Sequence, residues 1–159
     1  MNLRSTAVIG MIAFSLASCG EKKVAETPAA EALPITGTWK LAYSKLIKNG
    51  DTSTTYPVPG KPQEMIKLFN GGHFAFFMHD LTKGKDTANI AYSSGAGTYT
   101  LAGDKYEEHL QYCTHRDWED KNFSFTLTLQ NDTLLQKGIE KIESIGVNHE
   151  IVEAYIRVR

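Results

Sequence analysis

Phe123-Ser124-Phe125-Thr126-Leu127-Thr128-Leu129 alternates apolar and polar side chains without a break. A helix would scatter that pattern around its circumference, whereas an extended chain puts every apolar member on one face. The stretch therefore predicts a strand with one buried side. Other segments repeat the theme between tight turns. Trp39, Leu41 and Tyr43 alternate ahead of a turn at Asn49-Gly50-Asp51. A Thr- and Pro-rich loop follows, in which Pro57, Pro59 and Pro62 argue against regular structure. Strands are then expected over Met65–Phe69, His73–His79, Gly95–Leu101, Tyr106–Cys113, Thr133–Gln136 and Glu150–Val158. The turns between them fall at Asn70-Gly71-Gly72, Gly103-Asp104 and Asn131-Asp132. Many short strands with tight turns predict an all-β antiparallel sandwich or barrel. Ile139, Ile142 and Ile145, three apart between Gly138 and Gly146, mark the one helical candidate, of at most two turns.

The first 34 residues have a different texture. Arg4 precedes the apolar run Ala7-Val8-Ile9-Gly10-Met11-Ile12-Ala13-Phe14, and Leu16-Ala17-Ser18-Cys19 closes it. That run is too short for a bilayer-spanning helix, which needs ~20 apolar residues. Its charge, apolar centre and small-residue end have the form of a secretory leader. The closing tetrapeptide resembles a bacterial lipobox, so residues 1–18 are expected to be removed and Cys19 to carry the lipid. Residues 19–34 then form a flexible tether rich in Ala, Glu and Pro. Residues 35–159 remain for one domain with a single core.

This address places the protein in the cell envelope of a Gram-negative bacterium, held on a membrane by its lipid. Gly20, where inner-membrane retention in enteric bacteria favours Asp, makes the outer membrane the expected one. The formal net charge of the whole chain is -1, which supplies neither a nucleic-acid footprint nor a polybasic lipid patch. No nucleic-acid partner is expected, and the domain is read as a monomer. Cys19 and Cys113 are the only cysteines. Acylation of Cys19 leaves no disulfide, and Cys113 reads as a small buried hydrophobe.

Gly37-Thr38-Trp39, opening the first strand, resembles the Gly-x-Trp signature of lipocalins and related calycin barrels. Lys67-Leu68-Phe69-Asn70-Gly71-Gly72-His73-Phe74-Ala75-Phe76 and Gly97–His109 are similar to successive hairpins of a lipocalin-like family of small secreted and lipid-anchored bacterial proteins, many from Bacteroidetes. The ending Ile151–Val158 is similar too. The resemblance implies an up-and-down barrel of about eight strands. It further implies that Arg157 on the last strand packs over Trp39 and closes one end.

Alternation then assigns an inward face. Arg157 brings Tyr155, Glu153 and Ile151 with it. Phe74, Phe76 and Met78 point inward, as do Tyr99, Leu101 and the apolar members of 123–129. Between Lys105 and Cys113 the greasier face holds Tyr106, Glu108, Leu110 and Tyr112, leaving His109 and Cys113 outside. Charges inside a small barrel cost several kcal/mol unless paired. Two readings stand: Arg157 pairs internally with Glu153 or Glu108, or these groups line a cavity and orient a ligand.

The expected ligand site is Phe76, Tyr99, Glu108, Tyr112 and Tyr155. No catalytic motif is present: there is no Gly-x-Ser-x-Gly elbow and no phosphate-binding glycine loop. His73, His79, His109, His115 and His149 lack metal-ligand spacing, so no metal and no cofactor is expected. The reading is a non-enzymatic barrel that binds a small, partly apolar ligand. The alternative is a solid barrel that binds a partner or glycan through Phe76-Phe77 and the loop from Tyr56 to Pro62. A third reading, a weak isomerase or hydrolase, would need Glu108 as its acid.

Overall fold

The computed structural model describes residues 33–159. The leader, Cys19 and the tether up to residue 32 lie outside the described residues. Nine strands follow in chain order: β1 (Gly37–Lys48), β2 (Asp51–Tyr56), β3 (Gln63–Asn70), β4 (His73–Asp80), β5 (Tyr92–Ala102), β6 (Lys105–Cys113), β7 (Lys121–Gln130), β8 (Thr133–Ile142) and β9 (Val147–Arg157). From β3 to β9 each pairs antiparallel with the next. β1 pairs with β3 on one side and with β9 on the other, which closes an eight-stranded barrel. β2 lies outside the ring, hydrogen-bonded to the second half of β1. Closure leaves no free edge in the ring itself.

Two segments differ from the sequence expectation. Asp51–Tyr56, expected in an irregular loop, is strand β2, because the Asn49-Gly50 hairpin turns β1 directly back on itself. The helical candidate is a continuation of β8 to Ile142, followed by a single 3₁₀ turn at Glu143–Ile145. There β8 pairs with β9 residue for residue from Thr133 to Ile142, and that ladder overrides the three-residue isoleucine spacing. Ile139 is exposed and Ile142 buried, as opposite faces of a strand require.

The two ends of the barrel are built differently. At one end β3–β4, β5–β6 and β7–β8 are joined by two-residue turns. Gly71 and Gly72 both take positive φ (55° and 81°), a conformation open to glycine at little cost. Leu33–Ile35 lie against this end, where Leu33, assigned above to the tether, packs on the core and Ile35 is buried. Trp39, Phe69, Tyr106, Leu127 and Leu134 fill it, with Tyr99 edge-on to Phe69 at 5.4 Å between ring centres. The opposite end carries the longer connections, residues 57–62, 81–91 and 114–120, and stays open.

Two β-bulges set which side chains face inward. Leu41 and Tyr43 pair with consecutive residues of β9, so Ala42 is the extra residue and the alternation reverses there. Ser44 consequently turns in and is buried, while Tyr43 turns out beside Thr128 and Leu135. In β6, Leu110 and Tyr112 pair with consecutive residues of β5, making Gln111 the extra residue. Gly97 opposite permits this, because a Cβ there would sit 1.8 Å from the His109 carbonyl oxygen.

Candidate functional site

The closed end holds the pair implied by the resemblance. The Arg157 guanidinium lies 4.2 Å from the centre of the Trp39 ring and donates to the carbonyls of Pro34 (2.8 Å) and Thr36 (2.9 Å). Trp39 Nε1 donates to the Ile35 carbonyl at 2.7 Å. Arg157 thus ties the incoming chain over the barrel floor and meets neither Glu153 nor Glu108, the partners proposed for it from the sequence.

The buried ion pair is a different one. Lys67 extends inward from β3, and its Nζ lies 3.1 Å from Glu108 Oε2 and 2.9 Å from Gln136 Oε1. The rings of Phe69, Phe74 and Tyr106 surround the ammonium at 5.1–5.4 Å. Tyr106 donates to the same Glu108 oxygen at 2.8 Å. With Lys67 4 % and Glu108 8 % exposed, both ionic groups have their polar contacts inside the protein. This layer crosses the barrel above the packed floor.

Above the polar layer is a cavity of about 210 Å³. For scale, an apolar cavity of about 150 Å³ takes a benzene ring. Met65, Phe76, Leu110, Phe123 and Ile151 form its apolar walls, and Trp118 from the β6–β7 connection packs on Phe123 at 5.7 Å. Lys67, Glu108, His115, Gln136, Glu140, Glu153 and Tyr155 supply the polar lining.

The carboxyls differ in their partners. Tyr155 donates to Glu153 Oε2 at 2.6 Å. Burial holds the Glu153 carboxyl above its usual range, with Lys67 opposing the shift. Glu140 is pushed up to about 8, first by burial and then by repulsion from Glu153 and Glu108. Its Oε2 is 2.8 Å from His149 Nε2, and burial with the nearby Lys48 charge lowers that imidazole. Both shifts favour the uncharged pair, a Glu140 carboxyl donating to His149, rather than a salt bridge. Burial likewise raises the Cys113 thiol.

Of the expected ligand residues, Phe76, Glu108 and Tyr155 line this cavity. Tyr99 belongs to the packed floor. Tyr112 is placed elsewhere: the Gln111 bulge turns it outward, where it is 67 % exposed, and turns Cys113 in. Tyr112 instead flanks an outer groove with Phe77, Ala96 and Arg116. Lys67, Gln136 and Glu140 were not singled out from the sequence. Met65-x-Lys67-x-Phe69 alternation carried the signal for Lys67, since the two apolar neighbours on its face both pack inward. Among the described residues, no group of three His, Cys, Asp or Glu side chains is placed to hold a metal ion.

No protein-family model matches this chain, and no curated protein matches it.

Proposed function

We propose that this chain is a lipid-anchored, non-enzymatic binding barrel of lipocalin-like type that takes a small, partly apolar molecule into its open end. The observation that carries the reading is the cavity between the polar layer and the long connections, with aromatic walls and several convergent polar groups. A barrel that only filled itself would have no reason to leave it. Glu108, the acid an isomerase or hydrolase would require, is already engaged by Lys67 and Tyr106, which favours binding over turnover. The lipid at Cys19 remains a reading of the lipobox. Leu33 lies at the closed end, so an anchor upstream of it leaves the mouth at the far end of the barrel.

Native mass spectrometry of the full chain, purified from its own host without detergent exchange, tests this. A co-purifying small molecule that is lost in Ile151→Phe and retained in Tyr112→Ala supports the cavity as its site. A clean apo mass, with no uptake of hydrophobic dyes, refutes it. That result would favour the loop-binding alternative, for which the groove beside the exposed Phe77 and Tyr112 is the place to look.

A further inference from the structure

Three carboxyls, those of Glu108, Glu140 and Glu153, reach the cavity from β6, β8 and β9, against one ammonium, Lys67. Glu140 is held uncharged against His149, which leaves Glu153 as the carboxyl that faces a guest. The Lys67 ammonium is already occupied by Glu108, Gln136 and three aromatic rings. Among the described residues no cation lies within ion-pair distance of Glu153, whose Oε2 accepts from the Tyr155 hydroxyl and whose carboxyl also meets Ser44. An anionic guest would have to displace Glu108 from Lys67 or sit against the Glu153 carboxyl. A neutral guest would leave Glu153 with only the Lys67 charge to oppose its burial, an ammonium already shared with Glu108. An inorganic ion would need converging ligands, and no such group is present among the described residues.

We propose, resting on the reading of the cavity as a ligand site, that its ligand is a small organic cation. Its ammonium head sits against Glu153, and its apolar body packs on Phe76, Trp118 and Phe123. A positive head converts a carboxyl that is costly to bury, Glu153, into an attractive surface. The aromatic walls add cation–π attraction, which strengthens as the head is desolvated. The volume suits a body of about one ring with a compact head.

Three benzyl probes of different head charge separate the outcomes: benzyltrimethylammonium, its isosteric uncharged carbon analogue neopentylbenzene, and the smaller-headed anion phenylacetate. The chain has two tryptophans: Trp39 is in the closed floor and Trp118 is in the cavity wall. Tryptophan emission therefore reports occupancy, with calorimetry as the second readout. The ammonium is expected to bind at least about tenfold more tightly than either analogue, a difference of about 1.4 kcal/mol. Glu153→Gln, which keeps an acceptor for Tyr155, is expected to remove about that preference and leave neopentylbenzene unaffected. Equal or stronger binding of the neutral or anionic probe overturns the charge assignment while leaving the binding barrel standing. If no probe binds and the native mass is clean, both readings fall. Should Glu153→Gln not fold, the three-probe comparison on the unaltered chain still decides.

Discussion

Replacing Lys67 by Met tests whether the buried ion pair organises the barrel interior. The substitution keeps most of the side-chain volume and removes the charge that faces Glu108 at 3.1 Å. At that distance the gross attraction is about 5 kcal/mol with an effective dielectric of about 20. The desolvation of both groups offsets part of it, and breaking one partner of such a pair costs about 3–5 kcal/mol, because the other charge stays buried and uncompensated. The expected loss in Lys67→Met is therefore ~3–5 kcal/mol, or roughly 10–20 °C in Tm for a domain of this size. Urea unfolding followed by far-UV circular dichroism measures it.

The double variant Lys67→Met/Glu108→Gln removes the orphaned charge and is expected to recover at least half of the loss. A single variant costing less than about 1 kcal/mol, or a double variant no better than the single, would refute the argument.

Two further perturbations address the inward face and the cavity carboxyls. Gly97→Ala places a Cβ 1.8 Å from the His109 carbonyl oxygen, a backbone atom that cannot rotate away. A loss of several kcal/mol is expected in thermal melts, and a variant melting within a couple of degrees of the unaltered protein would show that β5 and β6 part freely there. For Glu140, the folded value of about 8 exceeds the unfolded one, so its contribution is complete below about pH 4.5 and lost as pH rises through 8. The lowered His149 imidazole acts in the opposite sense, its contribution being lost as pH falls below its unfolded value. Glu140→Gln should therefore flatten the decline of stability between pH 5 and 9 and exceed the unaltered protein at pH 9 by a few kcal/mol. Parallel stability curves for the two proteins would count against a buried, protonated Glu140.

The alternation from Phe123 to Leu129, the two-residue turns and the strand-length spacing between them were enough to foresee an antiparallel sandwich or barrel, and the resemblance to lipocalins chose the barrel. Those signals are local: a strand's period and a turn's backbone are written in adjacent residues. Phe76, Glu108, Ile151, Glu153 and Tyr155 were correctly assigned inward for the same reason. Tyr112 was not, because a single extra residue reverses the alternation; the same reversal turns Tyr43 away from the face of Trp39 and Leu41, and the bulges at Ala42 and Gln111 arise from how a neighbouring strand pairs rather than from their own sequence. The partner of Glu108 was equally out of reach, as Lys67 and Glu108 are 41 residues apart and meet only across the closed barrel. Periodicity alone settles which residues can share a face. Which of them meet, and whether a space is left between them, is decided only when the ring closes and every strand takes its register from both neighbours.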